Sequence, residues 1–280
     1  MSAADLLREG KLDDALAVLK KEVSGDPADA KHRVFLFQLL CVNGDWERAL
    51  TQLNVAADMD PATLAMAQMY RAALQAEVFR AEIFQGKRQP IVFGEPPEWI
   101  GLMIEALRLT ATGEAKAGEQ LREQALEQAP AIQGQIDDSP FEWIADADPR
   151  LGPILEAMVD GKYYWIPFDR IKEIRIEAPA DLRDVIWMPC QFVWANGGDA
   201  VGLIPTRYPG SESSEDEQIR LARKTDWIEQ SHGQPHGLGQ RLFAIDSGDH
   251  ALMDSRKITL KTSEELATSA TDEERASSNV

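Results

Sequence analysis

Apolar positions in the first half of the chain recur at helical spacing. Between residues 63 and 85, Met66, Tyr70, Leu74 and Val78 return along one face, with Phe79 and Ile83 beside them. Gly86 follows as a cap, and Lys87 and Arg88 suit the negative end of a helix dipole. Residues 34–42 read VFLFQLLCV, apolar almost all round, which predicts a helix covered on every side. From about Ser139 the period changes, and segments 163–168, 171–176, 184–194 and 200–205 read as strands rich in tryptophan and β-branched residues. Asn196-Gly197-Gly198-Asp199 supplies the glycines of a hairpin turn. The same reading places short helices over 151–159 and 218–227 and strands over 241–245 and 257–260. From Ser263 onward, hydroxyl and acidic side chains dominate, as in a disordered tail.

A repeat underlies the first half. Gly10 and Gly44, Ala15 and Ala49, Leu16 and Leu50, Leu19 and Leu53, Asp26 and Asp60, and Pro27 and Pro61 are each 34 residues apart. That period is the length of a tetratricopeptide unit, two antiparallel helices. The glycines stand where a first helix must end, the alanines where two helices cross closely, and each Asp-Pro closes a second helix. Gly113, Gly118 and Pro130 mark a weaker third copy whose first helix, about 98–111, is entered through Pro96-Pro97. The expected fold class is α+β. All-α tetratricopeptide-like repeats fill 1–136, a smaller α+β domain with an antiparallel sheet fills 137–262, and a tail runs over 263–280.

Composition narrows the function. The chain has 280 residues and a formal charge of −18, with acidity spread along its whole length. With no basic block to supply phosphate contacts, nucleic acid and anionic membrane surfaces are disfavoured as partners. The N-terminus lacks the basic start and apolar stretch of a signal peptide, and no apolar run reaches the ~18 residues of a membrane span. Cys41 and Cys190, both in apolar stretches, fit buried free thiols of a reducing compartment. The expected location is the cytoplasm.

Candidate chemistry is sparse. There is no Walker sequence and no Gly-x-Ser-x-Gly elbow, and Gly237-Leu238-Gly239 lacks the setting of a dinucleotide loop. Cys190 has no histidine near it in sequence to activate a thiolate. His232, His236 and His250, near Asp246 and Asp249, are the one lead for a metal, but Gly233 and Pro235 interrupt the helix that would align the first two. No cofactor is expected. A metal-dependent enzyme built on these histidines stays open as an alternative, as does a secretion chaperone using the repeats. For protein binding, Val34, Gln38, Cys41 and Tyr70 are the candidates: their stripe either packs in the core or faces a groove that receives a partner helix.

Four ordered motifs carry a resemblance. Leu182-Arg183-Asp184-Val185-Ile186-Trp187-Met188-Pro189 is followed by Arg207-Tyr208-Pro209-Gly210-Ser211-Glu212. Ala222-Arg223-Lys224-Thr225-Asp226-Trp227 comes next, then Gly237-Leu238-Gly239-Gln240-Arg241. With the repeats, the chain resembles the ImpE family, also called TagJ, from about residue 4 to 262. The resemblance implies a non-enzymatic accessory protein of bacterial type VI secretion. Such a protein binds the small subunit of the contractile sheath through a helix near that subunit's N-terminus, and it assists the AAA+ ATPase that disassembles contracted sheath. Arg207, Tyr208, Arg223, Lys224, Trp227, Gln240 and Arg241 are the motif residues it singles out. The cations among them either tie loops to the sheet or form a recognition surface.

Overall fold

Helix α1 (Ala3–Arg8) begins at a capping box in which Ser2 and Asp5 each accept the other's backbone N–H. It pairs with α2 (Leu12–Gly25), as α3 (Ala30–Val42) pairs with α4 (Trp46–Met59) and α6 (Glu98–Ala111) with α7 (Ala115–Gln128). Between the second and third pairs runs the long helix α5 (Leu64–Phe84). Each pair turns the same way. Gly10, Gly44 and Gly113 take φ of 79°, 70° and 95°, and the N–H groups of Lys11, Asp45 and Glu114 reach back to the carbonyls of Leu6, Leu40 and Leu109. That is the Schellman ending, for which glycine is the residue with no steric cost. Ala15 and Ala49 are fully buried where the paired helices cross. Gly118 takes that place in the third copy, where an added Cβ would come within 2.5 Å of Thr110 Oγ1.

This computed structural model describes residues 1–229 and 235–261; the expected tail over 263–280 lies outside them. Among the described residues there are fourteen strands, nine of them in one large sheet. In chain order the strands are β1 (Ile91–Val92), β2 (Gly134–Ile136), β3 (Ser139–Phe141), β4 (Ile144–Asp146), β5 (Ile154–Val159), β6 (Lys162–Pro167), β7 (Ile171–Ile176), β8 (Trp187–Trp194) and β9 (Asp199–Pro205). A short helix α8 (Glu217–Arg220) precedes β10 (Thr225–Ile228), β11 (His236–Gly239), β12 (Leu242–Ile245), β13 (Gly248–Ala251) and β14 (Lys257–Leu260). The large sheet runs β1-β6-β5-β9-β8-β7-β14-β2-β3 and is antiparallel except at β1, which joins β6 in parallel from the loop between α5 and α6. β13-β12-β4 and β10-β11 form two smaller sheets. The chain is thus α+β, with tetratricopeptide-like repeats followed by a sheet-rich region.

Two expected helices are corrected. Segment 151–159 holds strand β5, whose six residues are all buried, so its continuous apolar run reflects burial on both faces of a sheet. In 218–227 only the first turn is helical: Ala222 takes φ 53°, which stops the helix, and the chain re-extends as β10.

The core lies in two layers. On one face of the large sheet, Ile154, Met158, Tyr163, Trp165, Trp187 and Leu203 share a single apolar cluster with Phe37, Leu40, Tyr70, Leu74 and Ile100 of the helices. On the other face, Leu155, Ile166, Phe168, Ile174, Phe192 and Ile204 pack with Phe243, Ile245 and Ile258.

Candidate functional site

Glu156 points from β5 into the helix layer and is wholly inaccessible to water. Arg80 of α5 grips it with two bonds, Nε to Oε1 at 2.6 Å and Nη2 to Oε2 at 2.8 Å. Arg241, also wholly buried, donates to Glu156 from one side and to Asp146 from the other. The Tyr163 hydroxyl donates to Glu156, and Trp165 Nε1 donates to that hydroxyl at 2.9 Å. Glu77, one turn before Arg80, accepts from Trp187 Nε1 at 2.9 Å. Burial pushes the carboxyls of Glu77 and Asp146 up from their ordinary range. Burial acts the same way on Glu156, but the guanidinia of Arg80 and Arg241 outweigh it and hold that carboxyl down at about 2. This seam of charges joins helix layer to sheet. A cleft of about 310 Å³ borders it, where Arg80 and Arg150 lie over the Phe84 ring. Both guanidinia already hold carboxylates, Glu156 and Asp148.

The family-motif residues close the same boundary. Arg207 Nη1 donates to the carbonyls of Val42, at the end of α3, and Arg220, at 2.8 and 2.5 Å. Arg223 Nη2 donates to the Leu7 carbonyl at the end of α1, at 2.9 Å. Arg207 satisfies a carbonyl that the end of α3 leaves without a backbone donor, Arg223 shares the Leu7 carbonyl with the Gly10 N–H, and each places a cation at a helix's negative pole. Arg220 adds paired bonds to Asp13 at 3.0 Å. The repeat glycines meet this clasp: a Cβ on Gly10 would sit 2.5 Å from Gln218 Nε2, and one on Gly44 2.6 Å from Glu212 Cγ. Tyr208 stacks under Arg241 at 5.4 Å and lies 5.9 Å from Trp227, while its hydroxyl accepts the Leu242 N–H. Gln240 bridges the Ala222 carbonyl and the Met253 N–H. Lys224 pairs with Asp216 and Asp226 at the surface. Of the motif cations, Arg207 and Arg223 thus reach helix ends through carbonyls, whereas Arg241 and Lys224 pair with carboxylates.

Of the docking residues expected along α3 and α5, Gln38, Cys41 and Tyr70 are covered by the chain's own second half. Gln38 donates to Asp181 at 2.9 Å, and Cys41 is fully buried beside Arg207, its thiol pushed up by burial. Tyr70 is wedged between Phe37 and Trp187, ring centroids 6.0 and 5.5 Å away, with Arg183 over its face. Val34 is half-buried. An apolar stripe in sequence announces burial, and here the sheet provides it. Of the metal lead, His236 lies on β11 and His250 on β13, in separate sheets, and His232 lies outside the described residues. Among the described residues no three His, Cys, Asp or Glu side chains gather so as to hold a metal ion.

The open surface lies elsewhere, where the helix layer leaves part of the sheet uncovered. Met158 of β5, Leu203 of β9 and Pro189 of β8 face one another across the strands, with Val201 and Gln191 one row further. Ala65, Gln68, Met69 and Ala72 of α5 form the wall of a groove of about 660 Å³. Met69 is 46% exposed and Val201 77%. Sequence reading passed over this groove because Met66, Tyr70 and Leu74 form the longer apolar stripe. The signal was Ala65, Met69 and Ala72, spaced four and three apart.

Fold and seam define a class: a helical-repeat protein whose inner surface is closed by its own sheet through a buried network of charges. The tetratricopeptide repeat family matches residues 6–74, and the ImpE protein family matches residues 138–259. The type VI secretion system accessory component TagJ of Pseudomonas aeruginosa is 46% identical over 258 residues, 92% of this chain and 90% of that protein. A crystal structure of a Vibrio parahaemolyticus protein aligns with a TM-score of 0.85 at 26% identity, covering 94% of this chain and 99% of that one. The chain belongs to the ImpE family.

Proposed function

We propose that this chain is a non-catalytic adaptor of a type VI secretion system. It acts in the cytoplasm, binding the sheath small subunit through a helix near that subunit's N-terminus and linking the sheath to its AAA+ disassembly ATPase. The observation that carries the reading is the 46% identity to a type VI accessory component over nearly the full length of both chains. The interior supports it. Its strongest polar groups, Glu156, Arg80, Arg241 and Asp146, are engaged with one another, and the motif arginines with helix ends. Such groups hold a scaffold rigid, as a protein-binding platform requires. The strongly acidic surface favours encounter with a partner that presents basic residues. Among the described residues no helix is long and apolar enough to cross a membrane.

Isothermal titration of the purified chain tests the reading, first with the sheath small subunit and then with the ATPase. Saturable binding of the subunit is expected, and a ternary complex on adding the ATPase. No heat from the subunit, with no co-elution, removes the adaptor reading; binding of the subunit alone removes the link to the ATPase.

A further inference from the structure

We infer that the groove between α5 and strands β5, β9 and β8 seats an amphipathic helix whose apolar stripe is bordered by basic residues. The inference rests on the adaptor reading and gives it a place.

The floor is apolar: Val201 and the half-buried Pro189 lie open, beside Met158 and Leu203, which the helix layer already buries. Val201 projects from the middle of a sheet at 77% exposure, where a residue of its type is ordinarily covered. The wall presents Ala65 and Ala72, seven residues apart on one face of α5, and such small side chains let a second helix approach closely. Gly161 at the β5–β6 turn keeps that end narrow, since a Cβ there would lie 3.4 Å from Ala72 Cβ.

The occupant's backbone follows from the surroundings. Leu203 and Gly202 of β9 pair with β5 on one side and β8 on the other, and β8 lies between β9 and β7, so the row of Leu203 and Pro189 offers no edge for an added strand; Asp199–Val201, past the end of β5, have no β5 partner. An extended segment here would bury its own N–H and C=O groups against apolar side chains, whereas a helix satisfies them internally. The rim sets its charge. The charged residues lining the groove, Asp160 and Glu177, are both acids, on a chain of net charge −18. Basic residues flanking an apolar stripe complement that rim and are steered toward it.

The test uses the full chain and a fluorescent synthetic peptide of the sheath small subunit's N-terminal helix, read by anisotropy, with the whole subunit titrated in parallel. Met69→Lys and Val201→Lys remove apolar contact and repel basic flanks at exposed positions that tolerate lysine. Each is expected to weaken both peptide and subunit at least tenfold, with unchanged circular dichroism and melting. Leu126→Lys on α7, equally exposed, is expected to leave binding unchanged. Asp160→Asn with Glu177→Gln is expected to weaken binding severalfold at low salt and flatten its salt dependence. Wild-type affinity in both lysine variants overturns the groove while the adaptor reading stands. Binding of the subunit without the peptide overturns the helical occupant. Failure of the wild-type chain to bind the subunit at all overturns the adaptor reading, and the proposed occupant goes with it.

Discussion

Glu156 sits at the third position of a six-residue strand, ILEAMV, in which every residue is buried. A lone carboxylate there would be intolerable, so its partners decide its worth. Two guanidinia and a tyrosine hydroxyl meet its oxygens, and the carboxyl stays ionised down to about 2 where an unfolded glutamate titrates near 4.5. A carboxyl whose folded value is depressed contributes stability above its unfolded value and loses it as pH falls through the folded one. For Glu156 that window runs from about 4.5 to about 2, and the span corresponds to roughly 3 kcal/mol. Glu156→Gln is therefore expected to lower stability by about 3–5 kcal/mol at neutral pH, because it leaves Arg80 and Arg241 buried with half their partner gone. Urea unfolding of wild type and variant across acid pH checks this, and the gap between them should narrow as pH falls through the window. A constant gap would mean that the carboxylate's charge is not what matters. In sequence, a glutamate inside an apolar run reads as the polar edge of a helix. Its true role depends on Arg80 and Arg241, 76 and 85 residues away, which no local pattern contains.

At the scale of elements the repeats were the most legible part. The turn glycines, crossing alanines and closing Asp-Pro pairs are local devices, and local devices repeat visibly. Sequence does not show that the three turns differ in their surroundings. Gly44 at φ 70° lies against Glu212, its added Cβ 2.6 and 2.9 Å from Cγ and Cβ, whereas Gly113 at φ 95° has nothing within 4 Å. Gly113→Ala should incur only the left-handed backbone penalty, about 1–2 kcal/mol. Gly44→Ala should incur that and a further ~1–3 kcal/mol for overpacking against the clasp. Chemical denaturation of both variants measures the difference. In a Glu212→Ala background the excess at Gly44 should vanish; if it persists, the clasp is not its source. The strands were read less well. β5 resembles a helix in sequence because a short run buried on both faces has no period, and β10 does because Ala222 adopts a left-handed turn that favours no particular residue in advance.

For the whole molecule, the question is whether helices and sheet are two bodies or one. The period of apolar positions changes from about Ser139, yet Phe37, Tyr70 and Ile100 share one apolar cluster with Trp165, Trp187 and Leu203. Arg80 of α5 binds Glu156 of β5, and Arg207 and Arg223 end helices of the first two repeats. A helix face apolar all round, as in 34–42, says in sequence only that something covers it; that the cover includes Tyr70, residues 181–185 and Arg207 is a fact of the tertiary fold. Separating the layers would expose Phe37, Tyr70, Trp165 and Trp187 to water at ~1.5–3 kcal/mol each, a sum comparable with the ~5–15 kcal/mol by which domains are stable. The full chain is therefore expected to unfold in one transition, with the far-UV helical signal and the near-UV signal of Trp165 and Trp187 lost together. A fragment of residues 1–136 is expected to bind a hydrophobic dye and to melt without a sharp transition. A fragment that melts cooperatively, or a full chain whose two signals separate on heating, would show that the repeats stand alone and that their inner stripe can open to a partner.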